Sequence, residues 1–402
     1  MLISLIVKFF SQINLTLGLV LRRRKKIDLR EIKTILVNRS DRLGDAIVSL
    51  PLLLELHKRF AVTVLTSKYN DPILREFLKT EVFIESPAPF LNSIKMMLVY
   101  LLRLLRLKKT AVVSQYDLYL DLMGVRGLET FLKVKGKNLC RYYAGFNLGI
   151  GNLFLDYASS QNPALFSRLN LVDSYRNFLR ESLGLDLDVP DSPDLTSVMQ
   201  RPGNFSLSPP FVLLNIAGFN KFRGPSAEMY ARIINEIDFS ANFVIMDDRD
   251  CPDIPAFKKY IKRNNLYYLE GNYSLWQLAF IAHSSSLYIG SDSGISQFLA
   301  TVTHCVIFFG TGEHRVWRPY SRNPYKKNNV EGLAVEETRN SASQIKKIIY
   351  VPVWCRPCFD FGCRGYRCVR SMDIEVPARE ITKTLRLIAD SRKNTPEKIN
   401  AG

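Results

Sequence analysis

From residue 31 onward, short apolar runs alternate with stretches whose apolar side chains recur at helical spacing. Residues 34–38 (Thr-Ile-Leu-Val-Asn) have the length and content of a strand buried on both faces, residues 39–44 form a polar turn, and 45–59 place apolar side chains three and four apart. Pro51 falls inside that helix and is expected to bend it or to mark its early turns. Residues 61–66 read as a second strand and 67–72 as a polar turn. Residues 116–122 read as another strand, and Gly124, Arg126 and Gly127 follow its carboxyl end, where open α/β sheets bind ligands. Pro190, Pro193, Pro202, Pro209 and Pro210, with Asp, Ser and Gly between them, mark a linker, after which the pattern restarts. It predicts strands at 211–216, 242–246, 286–290 and 304–309, and helices at 226–237, 274–283 and 294–302. Strands alternating with helices make each half an α/β layer with a parallel sheet. The division is an extension at 1–30, a first domain at 31–190, a linker at 191–210, a second domain at 211–350, and a Cys-rich segment with a terminal helix at 351–402.

Two apolar stretches stand outside this alternation. Residues 1–21 carry Ser4, Lys8, Ser11 and Gln12 as one polar stripe, and Arg-Arg-Arg-Lys-Lys follows at 22–26. The stripe favours a helix lying in the membrane plane over a spanning one, and the basic run after the apolar stretch is the reverse of a signal peptide. Residues 90–107 are strongly apolar and close on Arg103, Arg106, Lys108 and Lys109, which fits either a core helix or a membrane-facing one.

Composition narrows the classes. The 402 residues hold 55 Lys+Arg against 38 Asp+Glu, a net charge of +17, and 47% hydrophobic residues, enough for a core in each half. Cations next to apolar stretches point to an anionic membrane surface; no zinc-finger, RRM or helix-turn-helix pattern supports nucleic acid, and none is expected as a partner. The four histidines have no metal-ligand spacing, and no P-loop, G-x-G-x-x-G or G-x-S-x-G run is present.

Candidate chemistry sits in four loops. Ile-Gly-Ser-Asp-Ser-Gly-Ile-Ser-Gln (289–297) runs from a strand into a helix, so the amides of Ser293 and Gly294 suit a phosphate, while Asp292 alone reads as a helix cap. Gly310-Thr311-Gly312 follows the next strand. Lys221 and Arg223, in the loop after 211–216, suit a diphosphate or plain solvent. Asp45 falls in a first helical turn, either complementing the helix dipole or serving as a base. Cys355, Cys358, Cys363 and Cys368 form C-x2-C-x4-C-x4-C; structural zinc, disulfides and free thiols all stay open.

Residues 35–51 (Ile-Leu-Val-Asn-Arg-Ser-Asp-Arg-Leu-Gly-Asp-Ala-Ile-Val-Ser-Leu-Pro) resemble the opening motif of the ADP-heptose:lipopolysaccharide heptosyltransferases, glycosyltransferase family 9. Gly-Ser-Asp-Ser-Gly-Ile-Ser (290–296) resembles the second hallmark of that family, and 308–320 its following loop. A terminal four-cysteine cluster is also found in many members. The resemblance spans about 33–385 and implies a GT-B fold: two Rossmann-like domains with parallel sheets facing a central cleft, acceptor on the first and nucleotide-sugar on the second. It implies inverting transfer of a heptose from an ADP-sugar to a lipopolysaccharide core or related glycolipid, without a catalytic cofactor, at the cytoplasmic face of the bacterial inner membrane. By position, Asp45 is the base, with Arg42 and Arg126 toward the acceptor. Gly218, Lys221, Arg223, Asp292, Ser293, Gly294, Gln297, Gly310 and Thr311 lie toward the donor. Gln297 stands where the family usually has His, and Arg223 where an aromatic is common; a non-catalytic nucleotide-sugar or glycolipid-binding protein on the same fold is the alternative.

Overall fold

The computed structural model describes residues 16, 20, 24–40, 42–83, 114–123, 128–146, 149–159, 169–203, 205–216, 223–247, 253–356 and 367–393. The chain divides into two compact units, Met1–Pro193 and Asp194–Gly402.

In the first unit the strands are β1 (Thr34–Arg39), β2 (Ala61–Ser67), β3 (Lys79–Phe83), β4 (Tyr116–Asp121), β5 (Cys140–Gly145) and β6 (Tyr157–Ala158). They form one sheet in the order β3-β2-β1-β4-β5-β6, parallel throughout. Five successive residues of β1 are buried, as expected where helices cover both faces. The helices are α1 (Leu43–His57), α2 (Asp71–Leu74), α3 (Leu128–Gly136) and α4 (Leu171–Leu183). Pro51 lies inside α1 and removes the donor that would reach the Ile47 carbonyl, yet the helix runs on to His57. Asn170 caps α4 by accepting from the Val172 N–H, and Gly184 ends it at φ +67°. At the far edge, Arg24 bridges Tyr157 on β6.

The second unit holds β7 (Phe211–Leu214), β8 (Asn242–Asp247), β9 (Leu266–Glu270), β10 (Leu287–Ser291), β11 (Cys305–Phe309), β12 (Lys326–Val330), β13 (Leu333–Arg339) and β14 (Ile345–Tyr350). Its helices are α5 (Ala227–Glu236), α6 (Asp253–Tyr260), α7 (Leu275–Ser284), α8 (Gly294–Leu299), α9 (His314–Trp317), α10 (Arg367–Arg370) and α11 (Glu375–Lys393). The order is β12-β13-β14-β11-β10-β7-β8-β9. From β14 to β9 it is parallel, and β12 and β13 add an antiparallel edge beyond the predicted alternation. A Ser274–Gln277 capping box starts α7. Val376, Ile381, Leu385 and Ile388 of α11 join the core made by β7, β8, β10 and α5.

Both parallel sheets therefore have the same winding. Counted from its first strand, each reverses direction between the first and fourth strands, and ligands in such sheets bind outside the carboxyl ends at that reversal. In the first unit this is the β1/β4 junction; in the second it is β7/β10.

The apolar stretches 1–15 and 90–107, and the basic clusters Arg22–Arg23 and Arg103–Lys109, lie outside the described residues. No helix among the described residues is long and apolar enough to cross a membrane.

Candidate active site

At the β1/β4 junction the sequence leaves the sheet through polar residues that the fold buries. Asn38, Arg39, Ser40, Asp45 and Asp121 are all buried. Asp121, the last residue of β4, accepts hydrogen bonds from Asn38 Nδ2, the Tyr119 hydroxyl and the Met123 N–H, each at 2.9 Å. Burial, then the Asp121 charge, push the Tyr119 phenol far above its ordinary range, so it serves as a donor. Ser40 Oγ donates to Asn38 Oδ1 at 3.0 Å. Asp45 stands in the first turn of α1, with its carboxylate Oδ1 3.3 Å from Arg39 Nη2. The other arm of that guanidinium donates to the Leu122 carbonyl and to Tyr175 Oη, both at 2.9 Å. Arg42, the N-cap of α1, is exposed. Arg126 lies outside the described residues.

At the β7/β10 junction, Asp292 is buried directly after β10. Burial raises its carboxyl, and Arg223 and Arg356 oppose the rise. Arg223 Nη1 lies 3.5 Å from Asp292 Oδ2 and donates to the Asp292 carbonyl at 3.3 Å, while the Arg223 carbonyl accepts from the Gly310 N–H at 2.7 Å. The loops after β7, β10 and β11 are thereby tied together. Gly312 completes the contact: a Cβ there would sit 2.5 Å from Asp292 Oδ2. Thr311 is buried beside it. Gly218 and Lys221 lie outside the described residues.

One expectation changes here. The cap of α8 is Ser293, whose Oγ accepts from the Ser296 N–H at 3.2 Å; Asp292 is turned instead toward Arg223. Gln297 is buried, and its amide donates to the Trp317 carbonyl, fixing α9 to α8. Gly294 opens α8, whose amides follow the strand as expected from the motif.

Sequence reasoning did not find the network behind this loop. Glu336 on β13 accepts from Arg318 at 2.7 Å and from the Tyr350 hydroxyl at 2.8 Å, and His314 Nε2 lies 3.3 Å away. Burial alone would raise the Glu336 carboxyl; His314, Tyr350 and Arg318 outweigh it and hold it down to about 2. His314 stacks on Tyr350 at 4.0 Å between ring centroids, and burial lowers its basicity against the pull of Glu336. Arg356 stands 4.5 Å over the same ring and donates to the Gly312 carbonyl at 2.9 Å.

Of the four clustered cysteines, Cys355 is exposed and Cys368 buried; Cys358 and Cys363 lie outside the described residues. Among the described residues no three His, Cys, Asp or Glu side chains are grouped to hold a metal ion.

Neither a protein-family model nor a curated protein matches the chain. Solved structures do. The E. coli ADP-heptose lipopolysaccharide heptosyltransferase II is 13% identical, with a TM-score of 0.54 over 90% of this chain and 100% of its own. The E. coli heptosyltransferase WaaC, solved with ADP, is 13% identical, with a TM-score of 0.51 over 71% of this chain and 90% of its own. A family 9 glycosyl transferase from Veillonella parvula is 16% identical, with a TM-score of 0.52 over 73% and 85%. The chain has the α/β fold of these proteins, built from two Rossmann-like units.

Proposed function

We propose that the protein is a family 9 type glycosyltransferase that moves a heptose, with inversion, from an ADP-sugar to a hydroxyl of a lipopolysaccharide core or related glycolipid. One observation carries the reading: each sheet sets an acid singled out in the sequence, Asp45 or Asp292, at its own reversal point. The shared fold of heptosyltransferases, one solved with ADP, supports it.

In this reading the acceptor oxygen attacks the anomeric carbon and forms the new C–O bond. Its proton passes to the Asp45 carboxylate. The bond from the anomeric carbon to the β-phosphate oxygen breaks, and its electron pair leaves with the nucleoside diphosphate. Lys221, Arg223 and the amides of Ser293 and Gly294 stabilise the charge that develops on that leaving group. Gly310, Thr311 and Gln297 shape the loops around it, and Arg42 and Arg126 meet anionic groups of the acceptor. No catalytic metal is part of the proposal. Structural zinc on Cys355, Cys358, Cys363 and Cys368, and peripheral attachment of the 1–30 segment to an anionic inner-membrane surface, accompany it.

Thermal unfolding with ADP, UDP, GDP and CDP tests the donor half. A ligand at 100 times its Kd stabilises the native state by about 2.7 kcal/mol, or roughly 5–10 °C for a unit of this size. ADP is expected to give such a shift in the wild type and to lose it in Lys221→Ala. Equal responses to all four, or none, would remove ADP as the donor nucleotide.

A further inference from the structure

Arg39 is fully buried at the end of β1, and its side chain is held from three directions. Nη1 donates to the Leu122 carbonyl just after β4 and to Tyr175 Oη on α4, and the guanidinium lies 5.4 Å from the Tyr175 ring centre. Nη2 faces Asp45 Oδ1 at 3.3 Å. Tyr175 is itself fixed, buried against Phe146 at 5.6 Å between centroids. A planar guanidinium can serve all these partners at once, whereas an ammonium on a flexible stem cannot hold the same fork.

Stability is a poor reason for such an arrangement. Desolvation of two buried charges offsets most of their attraction, and apolar side chains of similar volume fill such a space at least as well. Its location is the better reason, since the pair stands at the reversal point of the sheet, Arg39 at the end of β1 and Asp45 on the first turn of α1.

We propose that Arg39 and Tyr175 are positioning residues for Asp45: the Leu122 carbonyl and Tyr175 Oη fix the guanidinium, and the guanidinium fixes the carboxylate in the orientation that takes the acceptor proton. The inference rests on Asp45 being the base in the reaction proposed above. It adds Arg39, inside the 35–51 motif, and Tyr175, 136 positions from Arg39 and outside every motif quoted above.

Full-length wild type, Asp45→Asn, Tyr175→Phe, Arg39→Lys and Arg39→Met test it, with kcat and both KM values read on ADP-heptose and a lipopolysaccharide core acceptor, beside thermal unfolding. Misplacing a reacting group by about 1 Å costs on the order of 100-fold. Tyr175→Phe is expected to lower kcat by roughly 10-fold with both KM values little changed, and Arg39→Lys to retain more kcat than Arg39→Met. A Tyr175→Phe kcat equal to that of the wild type, with only the unfolding midpoint lowered, would overturn the role while leaving the transferase reading intact. Should the Arg39 variants fail to fold, Tyr175→Phe decides alone. A wild type without transfer, or an Asp45→Asn that turns over normally, removes the base itself and this role with it, and shows before any Arg39 variant is read.

Discussion

Asp45 and Arg39 show what a single residue can and cannot disclose. Asp45 was legible because an acid in a first helical turn after a buried strand is a recognisable placement. Arg39 lies earlier in the same motif, yet its burial was hidden. From the sequence it reads as the first residue of a polar turn, whereas it ends β1 and is buried by Leu122 and Tyr175 from distant parts of the chain. Removing the Arg39 charge breaks a buried ion pair, which costs up to about 3–5 kcal/mol. Arg39→Met is therefore expected to lower the urea midpoint of the first unit more than Asp45→Asn, which keeps a hydrogen-bonding group of the same size beside the guanidinium. Equal midpoints would mean that the pair is not desolvated as described. His304 gives a second test at this scale. It is pushed down to about 4, first by burial and then by Lys346, Arg392 and Arg339, and its Nδ1 accepts from the Ile345 N–H at 2.9 Å. Its folded value lies below the ordinary 6.5, so the unfolded chain binds the proton more tightly. Stability from this group is full above about pH 6.5 and falls as pH drops toward 4, by at most about 1.4 kcal/mol per pH unit and less where solvent screens it. Urea unfolding between pH 7 and 5 is expected to show a shallower decline in His304→Asn than in the wild type.

At the scale of elements, legibility followed burial. β1, β2, β7, β10 and β11 are near-continuous apolar runs covered on both faces, and their periodicity announces them. The β12–β13 hairpin was not announced, because β12 reads Lys-Lys-Asn-Asn-Val and is almost wholly exposed on the sheet edge. Its consequence is large: β13 carries Glu336, which meets His314 and Tyr350 only once the sheet has assembled. The loop after β11 is set by packing of the same kind. Gly312→Ala puts a Cβ 2.5 Å from Asp292 Oδ2, so the carboxylate that faces Arg223 or the loop must shift. Calorimetric titration with ADP is expected to show roughly 10-fold weaker binding in that variant, the loss of about one charge-assisted contact. Gly203→Ala, where a Cβ meets nothing, is the control and is expected to match the wild type.

Over the whole molecule, the repeated winding is the strongest structural fact. The six parallel strands of each sheet share one order, and each sheet has a buried acid at its reversal. The alternation of runs was enough to predict two α/β layers, since right-handed strand–helix–strand units permit few other arrangements. Strand order was not readable from the alternation, because pairing depends on contacts between segments rather than on the segments themselves. The proposed transfer rests on Asp45 as its base. Its most direct measurement is acceptor-dependent release of ADP from ADP-heptose by the full chain, compared between wild type and Asp45→Asn. The account predicts release that requires the lipopolysaccharide core acceptor and falls by at least about 100-fold in Asp45→Asn, while ADP binding is unchanged. Release in Asp45→Asn equal to that in the wild type, or tight ADP binding with no release in either, would contradict it.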